Sequence, residues 1–146
     1  DVKPVKGYPN RKSKQDGRNK KGELFRVRYI YTGSKSPERA FCKAMMSANK
    51  IYRKEDILKM STRAINPGWG KGGKNTYSIW KYKGGAACKH KFQRVILVQK
   101  GNRAKGSDDI IGTSEARRRG FKPKPNKETE WSVKPNDMPN KGFINK

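Results

Sequence analysis

The side chains of this chain best suited to chemistry are two cysteines and its single histidine: Cys42, Cys88 and His90. Thiolate and imidazole are donors of the kind that hold zinc, so the trio reads as a candidate structural metal site. Cys88 and His90 flank one residue just after Gly84-Gly85, and a glycine turn there can aim both side chains at one point. Cys42, on a predicted helix, would complete the clip. A closed structural site takes four ligands. The fourth would be a carboxylate such as Glu38 or Asp56, a neighbouring chain, or water. The competing reading treats both cysteines as small buried apolar residues and hydrogen-bonds the histidine to backbone carbonyls. No cofactor beyond this structural zinc is expected.

Catalytic constellations are thin. A cysteine nucleophile with His90 as base lacks an Asp or Asn orienter, and Cys88 and His90 crowd one tight turn. Glu55-Asp56 and Asp108-Asp109 are consecutive pairs that diverge on any regular backbone. The chain therefore reads as a non-enzyme. Gly68 to Lys74 nearly spells a phosphate-binding loop, but Asn75 stands where a magnesium-binding hydroxyl belongs. The loop also follows no hydrophobic strand, and a strand rather than a helix is predicted after it. A wide turn anchored by Trp69 is the simpler reading; backbone amides with Lys71 and Lys74 gripping a nucleic-acid phosphate is the functional one.

These residues need elements to position them. Leu24–Thr32 alternates, with Phe25, Val27, Tyr29 and Tyr31 on one face and Arg26 and Arg28 on the other, as in a half-buried strand. Ser36-Pro37-Glu38 has the cap, proline and first-turn acid of a helix start. Phe41, Ala44, Met45 and Ala48 follow at helical spacing, with Cys42 at the stripe's edge. A second helix is predicted from about Arg53 to Ser61, turning Ile57, Met60 and Leu58 inward. Thr76–Tyr82 and Phe92–Gln99 are predicted strands, the second buried on both faces because its apolar run is unbroken. Thr113 or Ser114 caps a single helical turn over Glu115–Arg119, closed by Gly120.

The fold class that follows is α+β: a small mixed domain of about three strands and two helices over residues 23–100. Long irregular basic extensions flank it. Residues 1–22 form a basic arm too poor in apolar surface to order itself without a partner. Residues 101–146 form a Pro- and Lys-rich docking tail, with Trp131, Met138 and Phe143 as spaced interface anchors. A chain that begins at Asp1 reads as a trimmed or proteolytically processed product.

Charge sets the partner class. Of 146 residues, 37 are Lys or Arg and only 12 are Asp or Glu, a formal charge of +25 with 32% hydrophobic content. Compacting such a single-sign field costs self-repulsion unless polyanions neutralise it, so nucleic acid or a strongly acidic protein surface is the expected partner. The candidate nucleic-acid contacts are Arg11, Lys12, Lys14, Lys20, Lys21, Lys71, Lys74, Arg117, Arg118 and Arg119. No run approaches the roughly 20 apolar residues that span a bilayer, so no membrane partner is expected. Two cysteines make no disulfide framework.

Four motifs occur in order: Arg39-Ala40-Phe41-Cys42; Asn49 to Ile57; Asn66-Pro67-Gly68-Trp69-Gly70; and Tyr82 to His90. The set resembles structural head proteins of tailed phages that infect Bacteroidetes, including the crAss-like group. The order Arg-x-Phe-Cys then Gly-Gly-x-x-Cys-x-His is similar to the C-terminal part of Mu-type minor head proteins, and Asn136 to Phe143 fits the same phage group. The resemblance covers roughly Phe25 to Val98 plus that tail motif. It implies a minor virion protein of the phage head, at the portal vertex or just inside the capsid. Its implied partners are other capsid or portal subunits in several copies, and packaged DNA. The alternative from another class is a stand-alone basic nucleic-acid-binding protein of ribosomal or nucleoid type.

Overall fold

Alternation in the first long strand organises the molecule. The structure, a computed structural model, describes residues 7–33, 36, 40–70, 74–84, 90–99 and 109–123. In chain order these form β1 (Gly17–Arg18), β2 (Leu24–Thr32), α1 (Ala40–Ala48), β3 (Ile51–Tyr52), α2 (Lys54–Met60), α3 (Ile79–Tyr82), β4 (Lys91–Gln99), β5 (Asp109–Ile111) and α4 (Thr113–Arg118). The result is a small mixed α+β domain with a five-stranded antiparallel sheet and four helices.

β2 and β4 pair along their whole length, from Leu24 opposite Gln99 to Thr32 opposite Lys91. β5 extends β4 through Ile96 opposite Ile111. The other edge of β2 takes β1 at Leu24–Phe25 and β3 at Tyr29–Ile30. Because β4 fills one side of β2 throughout, β1 and β3 must lie end to end on the other.

Phe25, Val27, Tyr29 and Tyr31 are buried as the alternation requires. They meet Phe92, Ile96 and Val98 of β4, with Phe41 and Met45 of α1, Ile57 and Met60 of α2, Ile79 and Trp80 of α3 and Ala116 of α4, in one core. Aromatic pairs organise it: Trp80 meets Tyr29 edge-on at 5.1 Å and lies parallel to Phe92 at 6.1 Å. In α2 Leu58 points outward, 45% exposed, while Ile57 and Met60 point in. α1 ends where Asn49 takes a positive φ of 45°, a conformation Asn tolerates better than most residues. The helix start expected at Ser36–Glu38 falls largely outside the described residues.

Five expectations need correction. Thr76–Tyr82 is not a strand: Ser78 accepts a hydrogen bond from the Lys81 amide and caps α3. Short aromatic and β-branched runs suit either state, and both edges of β2 are already taken. β4 is not buried on both faces, since Phe92, Ile96 and Val98 are buried but Val95 and Leu97 only partly. Residues 8–22 are not a free arm but pack on the sheet and α2, because β2 and α2 offer buried partners for their backbone. The folded unit also continues past residue 100. β5 and α4 belong to it, and Phe121 stacks on Phe25 at 4.9 Å. α4 begins after Gly112 rather than at a hydroxyl cap on Thr113 or Ser114.

Candidate nucleic-acid interface

Arg28 shows how the N-terminal segment is held. It sits on the face of β2 opposite the core, yet its side chain is 0% exposed. A guanidinium has five donors, and burial requires all of them to be satisfied. Nε donates to the Pro9 carbonyl, Nη2 to the Arg11 carbonyl and Nη1 to the Val27 carbonyl. Nη1 and Nη2 also grip the Asp16 carboxylate at 2.7 and 3.2 Å. Asp16 takes the Val27 amide as well, capping β2 in the interval between β1 and β3.

The acids of the first turn of α2 anchor the same strap, residues 8–16, from the other side. Asp56 Oδ2 accepts the Tyr8 amide at 2.9 Å, and Glu55 accepts the Ser13 hydroxyl and the Lys14 amide. Arg53 pairs with Asp56 at 2.7 Å and donates to the Lys12 carbonyl. Burial opposes ionisation of Asp56. The hydrogen bonds from Arg53 and from the Tyr8 and Arg53 amides outweigh it and hold the carboxyl below the usual range. Glu55 behaves alike: burial raises it, but the Lys14 amide and the Ser13 hydroxyl bring it below the usual range.

Strap and hairpin enclose an open groove of about 440 Å³, lined by Asn10–Ser13, Asp16–Arg18, Leu24 and Arg26. Of the predicted contacts, Arg11 and Lys12 line it. Lys14 is exposed beyond it, and Lys20 and Lys21 are exposed in the β1–β2 turn. Asn19 in that turn donates to the Arg119 carbonyl at 2.9 Å, which brings the hairpin to the end of α4. Gly17 permits the approach, because a Cβ there would lie 2.8 Å from Phe121. Thus the turn that carries Lys20 and Lys21 is tied to the end of the helix that carries Arg117, Arg118 and Arg119, by residues 100 apart in sequence. Within that trio Arg118 and Arg119 pair with Glu115, at 2.7 and 3.3 Å, while Arg117 is exposed. Lys74 stands apart, on the loop before α3, where its carbonyl accepts the Gly70 amide. Lys71 and the tail anchors Trp131, Met138 and Phe143 lie outside the described residues. Arg18 and Arg26, which line the groove, are not among the predicted contacts: the two-residue strand that places Arg18 has no legible periodicity, and Arg26 reads in sequence only as the solvent face of β2.

Two of the three proposed metal ligands, Cys42 and His90, meet at Tyr31. Its hydroxyl lies 3.3 Å from Cys42 Sγ, and its ring stacks on His90 at 5.2 Å. Gly33, at φ 153°, is required here, since a Cβ would lie 2.4 Å from the imidazole. Cys88 and Glu38 lie outside the described residues. Asp56, the other offered carboxylate, is engaged by Arg53 and Tyr8. Among the described residues no group of three His, Cys, Asp or Glu side chains could hold a metal, and no helix is long and apolar enough to cross a membrane. Among the described residues, Cys42 and His90 both pack on Tyr31.

Comparison with family models, with curated proteins and with solved structures found no match.

Proposed function

We propose that this chain is a non-enzymatic structural protein that binds nucleic acid through phosphate neutralisation, in the head of a tailed phage. There it would contact packaged DNA and bridge neighbouring capsid or portal subunits. One observation carries the nucleic-acid reading: among the described residues, four acids are engaged by the protein's own groups. Asp16, Glu55 and Asp56 hold the strap, and Glu115 pairs within α4. Arg11, Lys12 and Lys14 of the strap, Lys20 and Lys21 of the hairpin and Arg117 of α4 remain exposed, so the surface they share with solvent is positive. Such a surface binds phosphates without reading bases. The phage setting rests on the ordered motifs from Arg39 to His90 and in the tail.

Two measurements test the two halves. Binding to unrelated DNA duplexes of equal length should give equal affinities; a preference for one sequence beyond about tenfold contradicts phosphate binding, since it would require base contacts. In lysates of infected cells the protein should sediment with intact particles at fixed stoichiometry. Sedimentation with ribosomes or free nucleic acid instead would favour a stand-alone binder.

A further inference from the structure

We propose that the groove between the strap and the β1–β2 hairpin is a phosphate cleft that seats the phosphodiester backbone of a nucleic-acid strand. This rests on the nucleic-acid reading and assigns it a place. Four cations line the groove, Arg11, Lys12, Arg18 and Arg26, against one acid, Asp16. That acid is already neutralised. Both of its oxygens are held by Arg28, and they also accept the Val27 and Ser13 amides. Arg11, Lys12 and Arg18 therefore line the groove beside a carboxylate that cannot compete for them.

Two of the cations are already oriented. Arg18 Nη1 donates to the Gly22 carbonyl at 2.7 Å, and the Arg11 guanidinium lies 3.9 Å over the Tyr8 ring. Fixing a long side chain before binding removes part of the ordering cost of association. Among the described residues no aromatic side chain lines the groove, so it offers no platform for stacking a base. Fork-shaped guanidiniums suit phosphate oxygens instead. The chemistry selects the backbone and is blind to the base and to the sugar.

The test uses the whole chain and labelled DNA and RNA single strands of matched sequence, read by fluorescence anisotropy at several salt concentrations. One variant carries Arg11→Gln, Lys12→Gln and Arg18→Gln. A control carries Lys43→Gln, Lys59→Gln and Lys81→Gln, which removes the same charge from exposed helical positions. The groove variant should bind roughly tenfold or more weakly, with a salt slope shallower by about 0.7 for each phosphate it no longer neutralises. The control should stay within about threefold of the parent, and DNA and RNA should respond alike. A double variant retaining Arg18 guards against a disturbed hairpin, and should show the same direction with a smaller loss. Equal losses in groove variant and control overturn the cleft while leaving nucleic-acid binding intact. A parent chain that binds neither strand overturns the functional reading itself.

Discussion

Arg28 and Asp16 concentrate the cost of building this fold from so basic a sequence. Replacing Arg28 by Met keeps the aliphatic stem but removes all five donors. Breaking one side of a buried ion pair strands the other, so Arg28→Met should destabilise the protein by about 3 kcal/mol. Urea unfolding measures this. A loss under about 1 kcal/mol would show that the strap carries little of the stability. The alternation of β2 was plain in the sequence, but Arg26 and Arg28 share type and face and looked interchangeable. Only what packs over them separates the two, and the carbonyls of Pro9 and Arg11 leave no sequence signal. Asp16 did leave one: apart from Asp1 it is the only acid among the first 22 residues.

At the scale of elements, the strap is fastened by carboxylates and should let go in acid. Asp56 and Glu55 are held below their ordinary range, so their stabilisation is complete above the unfolded value of about 4. It is lost as pH falls through the lower folded values. Hydrogen exchange at the Tyr8 and Lys14 amides should therefore be slow at neutral pH and rise sharply below about pH 4, ahead of the β2–β4 amides. Exchange that accelerates on all of them together would mean the strap is not a separate unit. At the other end, Phe121→Ala removes the ring stacked on Phe25 and should cost about 3 kcal/mol. It should also free the hairpin from α4, visible as faster exchange at Gly120 and Phe121, whose amides bond back to Arg117 and Ala116. The long elements were readable because periodicity is strong over nine residues, as in β2. α3 was not: four residues of Ile-Trp-Lys-Tyr fit strand or helix, and the Ser78 cap with the Trp80 contacts decided between them. The end of the folded unit was misplaced for a related reason. β5 is only three residues long, and it belongs to the sheet because β4 leaves an edge to be paired.

At the scale of the whole molecule, the same arrangement that folds the chain also sets its field. Its internal contacts engage Asp16, Glu55 and Asp56, two of them with buried Arg28 and Arg53, and leave Arg11, Lys12 and Lys14 exposed for the polyanion of the proposed function. The groove and the hairpin turn adjoin β1, and Asn19 ties that turn to the end of α4. The salt dependence of DNA binding tests this most directly. If about six phosphates are neutralised on a duplex, affinity should fall roughly 10³-fold between about 50 and 200 mM salt, with a slope near −5 on logarithmic axes. A slope shallower than about −1 would contradict the account, because no surface that works by releasing counterions could bind that way.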